Sequence, residues 1–298
     1  MVTHETLKPH KFYMSANLQN ISGKINEPIL AIYALIADVA QQNNLPFFII
    51  GATARDIIFE HVHGIKAPRA TKDIDLAVQV ATWQDFEQLK TQLIETGEMV
   101  SDKMIQRLRY HGEIPIDIVP FGDIEANGSI LWPPEYDIKM TVTGFQEAYN
   151  NTQVIRFREN PPLDVNVVTP VGLMALKIIA WSERYPQALK DALDIAFILR
   201  NFLDADHQSL LWEKHDDLIK EEIDYRQVGA RVLGREIAKI LTPHSKQLIK
   251  DILAHETGDQ KIYRLAENMM STPEQFQENL ELLEALYRGL IETLPVQS

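Results

Sequence analysis

The stretch Phe47-Phe48-Ile49-Ile50-Gly51-Ala52, carried through residues 53–70 to Thr71-Lys72-Asp73-Ile74-Asp75-Leu76-Ala77-Val78, decides how this chain folds. Its apolar run of four stops at Gly51, which reads as a buried strand ending in a turn. A helix is expected over residues 52–63, and a second strand over about 72–80. Side chains alternate faces along a strand, so Asp73 and Asp75 share one face and Ile74 points to the other. Two like charges side by side on a strand are unfavourable unless something positive lies between them. A divalent metal held by carboxylate oxygens meets that need. An exposed edge strand with two solvated acids is the plainer alternative.

A third acid favours the metal. Asp117 lies in Ile114-Pro115-Ile116-Asp117-Ile118-Val119, a lone carboxylate in a strand that reads as central. Burying it without a partner is costly. Set beside Asp73 and Asp75, it completes a group that can hold two divalent ions, Mg²⁺ or Mn²⁺. Such a pair activates an attacking hydroxyl and neutralises a leaving pyrophosphate. Gly51 taken alone is a tight-turn residue. Its functional alternative is that the absent side chain lets a phosphate approach the N–H groups at the helix start.

The bulk properties narrow the class. The 298 residues allow a sizeable core and two domains. Hydrophobic and charged fractions of 45% and 24% are those of a globular protein. With a net charge of −13, no overall field draws in nucleic acid or an anionic membrane, and an RNA substrate needs a local basic patch. The chain has no cysteine, which excludes disulfides, thiolate metal sites and cysteine nucleophiles. Residues 1–20 are polar and lack the apolar core of a signal peptide, and no apolar run is long enough to span a bilayer. A cytoplasmic location is expected.

Along the chain, Asn26-Glu27-Pro28 opens a helix with apolar positions Ile29, Ile32, Tyr33, Ile36 and Val39. Thr82 caps a helix over 83–96 that Gly97 stops. A hairpin follows: a strand over 104–110, a turn at His111-Gly112-Glu113, and a partner over 114–120. Residues 121–134 read as a loop, with shorter strands near Met140, at 154–157 and at 165–168. From Thr169-Pro170 onward helices alone are expected, over 170–184, 187–202, 206–220, 223–241, 244–255, 259–270 and 273–293. The class is α+β, with a mixed sheet flanked by helices in residues 1–160 and an all-α part in 161–298.

The order of apolar strand, Gly51-Ala52, helix, Asp73-Ile74-Asp75 and then Ile116-Asp117-Ile118 resembles the polymerase-β-type nucleotidyltransferase superfamily. Ala52 departs from its glycine–serine pattern, since it is small but lacks the hydroxyl. Gly51-Ala52-Thr53-Ala54-Arg55-Asp56 is also similar to the head of CCA-adding enzymes. A second block, Lys177 followed by Lys190-Asp191-Ala192-Leu193-Asp194, is similar to the AbiEii/AbiGii-like branch, some of whose members are toxins of toxin–antitoxin systems. The segment 229–235 extends that likeness. The resemblance implies a metal-dependent enzyme taking a nucleoside triphosphate, with Asp73, Asp75 and Asp117 as metal-binding catalytic acids. It leaves the acceptor open among RNA, protein and small molecules, and implies an antitoxin protein as a partner. An NTP-binding regulator with a vestigial site is the rival reading.

Other residues keep two readings. Lys177 either binds the triphosphate across the cleft, with Asp191 positioning it, or joins Arg184, Asp191 and Asp194 in a salt-bridge lattice between helices. Arg55, Arg69 and Lys72 are candidate phosphate contacts, yet each is also an ordinary surface or capping residue. Trp132 either stacks on a base or packs in the core. His61 and His63 do not share a helical face, and no metal site is expected there.

Overall fold

A computed structural model describes residues 18–69, 71, 73–205, 207–221, 224–258 and 262–292. Lys72, one of the candidate phosphate contacts, lies outside them. The chain begins with a two-residue strand, β1 (Gln19–Asn20), and helix α1 (Glu27–Gln42). The Asn26 side chain accepts from the Ile29 N–H at 3.3 Å, a capping bond that fixes where α1 starts. Strand β2 (Phe47–Ile49) then leads into a short helix, α2 (Gly51–Arg55). The helix expected over 52–63 is continuous, but its second part, Asp56–Val62, is wound as a π-helix.

Next come β3 (Ile74–Val80), α3 (Trp83–Glu95), β4 (Met99–Ser101), β5 (Arg107–Tyr110) and β6 (Ile114–Gly122). Thr82 and Asp85 form a reciprocal capping box at the start of α3. The expected strand over 104–110 is shorter at its front. Asp102 accepts from the Met104 N–H at 3.0 Å and so turns the chain, and β4 lies before that turn.

The loop expected over 121–134 holds a strand, β7 (Ser129–Trp132), which pairs with β8 (Ile138–Thr141) as a separate hairpin. Trp132 is buried in it against Trp83 and Phe86, at ring separations of 5.3 and 5.7 Å. Core packing is therefore the role the fold gives this tryptophan. Helix α4 (Phe145–Asn150) and strands β9 (Thr152–Arg158) and β10 (Leu163–Val168) complete the first half.

Among the described residues, these strands build an eight-stranded sheet in the order β1-β9-β10-β2-β3-β6-β5-β4. It is mixed. The pairs β10/β2 and β3/β6 run parallel, while β2/β3 and β6/β5 run antiparallel. The central strands β2, β3 and β6 carry much of the core through Phe48, Ile49, Leu76, Val78, Ile116 and Ile118.

Thr169 caps helix α5 (Pro170–Arg184), and α6 (Leu189–Asn201) and α7 (Gln208–Lys214) follow. The helix expected over 206–220 splits, its second part being a 3₁₀ turn at Asp216–Lys220. After α8 (Tyr225–Ile240) and α9 (Pro243–Thr257) comes α10, which spans only Arg264–Asn268. Residues 259–261 of the longer helix expected there lie outside the described set. A 3₁₀ turn at Pro273–Gln275 leads into α11 (Phe276–Ile291).

Helices α8 and α11 cross at glycines. A methyl group on Gly234 would sit 2.2 Å from the Leu286 carbonyl oxygen, and one on Gly289 would sit 2.1 Å from that of Arg231. Neither position tolerates a side chain while the backbones stay this close. The glycine-bearing segment 229–235 thus serves helix packing.

Candidate active site

The sheet register places three charged residues in a row. On the parallel strands β3 and β6, Asp75 is paired with Asp117. On the antiparallel pair β5 and β6, Arg107 is paired with Asp117. Paired positions on neighbouring strands project to the same face, so the row reads Asp75, Asp117, Arg107. Asp73, two residues before Asp75, joins it from just ahead of β3. One carboxylate oxygen from each of Asp73, Asp75 and Asp117 lies within 4.8 Å of the others.

Gly51 explains how Asp75 fits. The glycine has φ +67°, and a Cβ there would come within 2.1 Å of Asp75 Oδ2. The space left by the missing side chain is filled by this carboxylate. The Ala52 backbone N–H also favours its charged form. The Ile50 N–H donates to the Asp75 carbonyl at 3.0 Å, and the Thr53 hydroxyl to the Asp73 carbonyl at 2.9 Å. The turn from β2 into α2 therefore clamps both ends of the Asp-Ile-Asp unit.

The electrostatics of the row are uneven. Burial raises the Asp75 carboxyl to about 7; Lys177 opposes the rise, and Asp73 and Asp117 add to it. Asp117 has a cation of its own. Arg107 donates to it through Nε and Nη2, both at 2.7 Å, one to each oxygen. This bidentate pair holds the guanidinium above its ordinary range. The Tyr33 phenol from α1, fully buried, is likewise pushed up, first by burial and then by Asp75 and Asp56.

A second cluster gathers around Asp194 on α6. Arg55, fully buried, donates to Asp194 and to Asp56, and also to the Arg69 carbonyl at 2.9 Å. Arg69 reaches Asp194 at 2.8 Å, and Lys177 on α5 reaches it at 2.7 Å. Lys177 also bonds Asp191 at 2.9 Å, and Arg184 bonds the other Asp191 oxygen at 2.7 Å. Two carboxylates thus meet four cations. Burial would lower the Lys177 ammonium, but Asp194 and Asp191 more than reverse this and hold it above its usual value. Burial would raise Asp194, yet Lys177 and Arg55 keep it below the usual carboxylate range.

Among the described residues, two groupings hold the candidate metal and phosphate ligands named from sequence. Gly51 and Ala52 cradle Asp75. Arg55, Arg69, Lys177 and Asp191 surround Asp194, and Lys177 joins the groupings through its pull on Asp75. The salt-bridge lattice between α5 and α6 is formed, and it extends to the first half through Arg55 and Arg69. Arg107 was missed, though its signal was present. Counting outward from the turn at His111-Gly112 pairs Tyr110 with Ile114 and hence Arg107 with Asp117.

The donor set suits a hard divalent cation, for which carboxylate oxygens are the preferred ligands. The three oxygens, all within 4.8 Å of one another, are near enough for their side chains to converge on a shared cation. Burial first, and then Asp73 and Asp117, raise the Asp75 carboxyl, and a cation bound among the three acids would offset all of these.

The model of a family described as nucleotidyl transferase AbiEii toxin, type IV toxin–antitoxin system, matches residues 34–282. Among solved structures, the chain is similar to ANT(2″)-Ia in complex with adenylyl-2″-tobramycin. The identity is 16%, with 63% of this chain and 99% of that one covered at a TM-score of 0.38. A CCA-adding enzyme in complex with ATP is 14% identical, over 86% of this chain and 66% of that one, at a TM-score of 0.32. The Thermotoga maritima CCA-adding enzyme complexed with tRNA is 11% identical, over 92% and 81%, at a TM-score of 0.25. No curated protein matches the chain. Among the described residues, no helix is long and apolar enough to cross a membrane.

Proposed function

The chain belongs to the AbiEii nucleotidyltransferase toxin family, and on that premise we propose that it moves a nucleoside monophosphate from an NTP to an acceptor hydroxyl and releases pyrophosphate. The observation that carries this reading is the convergence of Asp73, Asp75 and Asp117 on one face of the sheet. Asp73 and Asp75 are assigned as ligands of the metal that accompanies the triphosphate, and Asp117 as their partner in holding a second. Bound there, Mg²⁺ or Mn²⁺ supplies charge neutralisation for the triphosphate and acidifies the acceptor hydroxyl.

Asp117 takes the proton as the acceptor oxygen attacks the α-phosphorus. The new P–O bond forms in line as the bond to the pyrophosphate oxygen breaks. Gly51 and Ala52 act through Asp75, whose carboxylate they seat. Lys177, held by Asp191 and Asp194, supplies fixed positive charge that favours the ionised form of Asp75. Arg69, the less buried of the two arginines on Asp194, is assigned with Lys72 to the triphosphate, and Arg55 to holding Asp194 in place. Residues 1–160 carry the chemistry. The helices of 161–298 close over the nucleotide and meet the acceptor, which we assign to RNA. Because the net charge is −13, that contact needs local cations. A type IV antitoxin is the expected antagonist.

The test uses each α-labelled NTP with Mg²⁺ or Mn²⁺ and separate RNA, protein and metabolite fractions of an extract. Label is expected in RNA and absent with Asp75→Asn, whose fold is checked by circular dichroism. Undiminished transfer by Asp75→Asn would sink the assignment. Label in protein or metabolite instead would move the acceptor and leave the chemistry standing.

A further inference from the structure

Resting on that reading, we propose that Arg107 is a gate on the third carboxylate. In the nucleotide-free protein it holds Asp117, so Asp73 and Asp75 take one divalent ion, to which the triphosphate later binds, and the second, which needs Asp117, enters only once the triphosphate is in place. The geometry is specific. Both Asp117 oxygens are engaged by the guanidinium at 2.7 Å, in the fork-on-fork arrangement available to arginine alone among side chains. The pair is set by strand register, with Arg107 and Asp117 facing each other on β5 and β6. It is not a chance meeting of mobile surface groups, since both side chains are mostly buried, at 18% and 17% exposure.

The competition follows from charge and space. A metal ion approaching Asp117 must share an oxygen already accepting a charge-assisted bond, and must sit beside a permanent positive charge. Among the described residues, neither Asp73 nor Asp75 is held in an ion pair with an arginine, so they form the half of the site open to a first ion. A triphosphate changes the balance because its oxygens offer the same fork a second bidentate anion. Arg107 can then exchange a carboxylate for a phosphate without being left unpaired, and Asp117 is released to the metal. Ordered this way, the acceptor's base is exposed only after the nucleotide is in place.

Mn²⁺ binding to the full chain, followed by calorimetry and by the electron paramagnetic resonance of free Mn²⁺, tests the gate without turnover. Wild type is expected to bind one Mn²⁺ alone and two with an α,β-non-hydrolysable NTP analogue. Arg107→Gln is expected to bind two without nucleotide, or to bind with about tenfold or greater affinity, the scale of one lost charge-assisted competitor. With the analogue present, mutant and wild type should converge, which a general loosening of the sheet would not produce. Arg107→Lys keeps the charge but loses the fork and should fall between; it also provides the measurement if the glutamine variant does not fold. Unchanged Mn²⁺ stoichiometry and affinity in both variants would overturn the gate. Equal Mn²⁺ binding by wild type and Asp75→Asn would instead remove the carboxylate site on which the gate depends.

Discussion

Asp75 and Asp194 are both largely enclosed carboxylates, yet their surroundings drive them in opposite directions. Asp75 is pushed up to about 7, whereas Asp194 is held below its ordinary range. Burial penalises both. The difference lies in what else was buried. Asp194 is met by Arg55, Arg69 and Lys177 in direct contact. Asp75 has two acids beside it, against which stand the more remote pull of Lys177 and one backbone N–H from Ala52. A satisfied acid cluster is a structural fastening, and an unsatisfied one is prepared for a cation that the chain does not itself provide.

The comparison breaks most readily at Asp194. Replacing it with alanine removes the carboxylate that Arg55, Arg69 and Lys177 share, leaving Arg55 to Asp56 and Lys177 to Asp191, and urea unfolding should show a loss of about 3–5 kcal/mol. A loss below about 1 kcal/mol would mean the cluster is not a fastening. Gly51→Ala comes next. The added methyl displaces Asp75, and an ångström of misplacement is expected to lower transfer about 100-fold. Activity within a few-fold of wild type would show that Asp75 need not sit where Gly51 admits it.

The third test uses pH on the metal-free protein. The Asp75 carboxyl is raised in the folded state, from 3.8 to about 7. Its stability contribution is therefore fully present below about pH 4 and is lost as pH rises to about 7, by up to about 1.4 kcal/mol per unit. Asp75→Asn should remove that slope. Asp194 has the opposite sign, since its lowered pKa contributes stability at neutral pH that is lost as pH falls. The smallest effect is expected at Arg184→Ala. Its side chain is 62% exposed, so removing it from Asp191 should cost about 0.5 kcal/mol or less by the same unfolding measurement.

What the sequence disclosed was mostly local. Asn26, Thr82 and Thr169 announced their helices because a cap acts within three residues. Asp73 and Asp75 announced a shared face because alternation is a property of any strand. Asp117 could be suspected from the cost of a lone buried acid. What it was paired with depended on β5/β6 register, which is set by the turn at His111-Gly112 and shows only when positions are counted outward from it along both strands. The β7/β8 hairpin was obscured by Gly122, Gly128 and Pro133-Pro134, which signal a loop to any local rule. The role of Arg55 was least visible. It sits in a phosphate-site-like motif, and its partner lies 139 residues further along the chain.

That separation governs when the site comes into being. During synthesis the turn at Gly51 and the strand bearing Asp75 emerge long before α6, so Arg55 begins its existence in water, with no Asp194 to receive it. The early sheet therefore carries its acids beside a helix not yet fastened, and Lys177 has not yet been brought to bear on Asp75. Only when the second half of the lattice has been made can the first half settle. A nascent fragment ending before α6 holds all three acids and lacks the clasp that steadies them, so catalytic competence arrives late in translation.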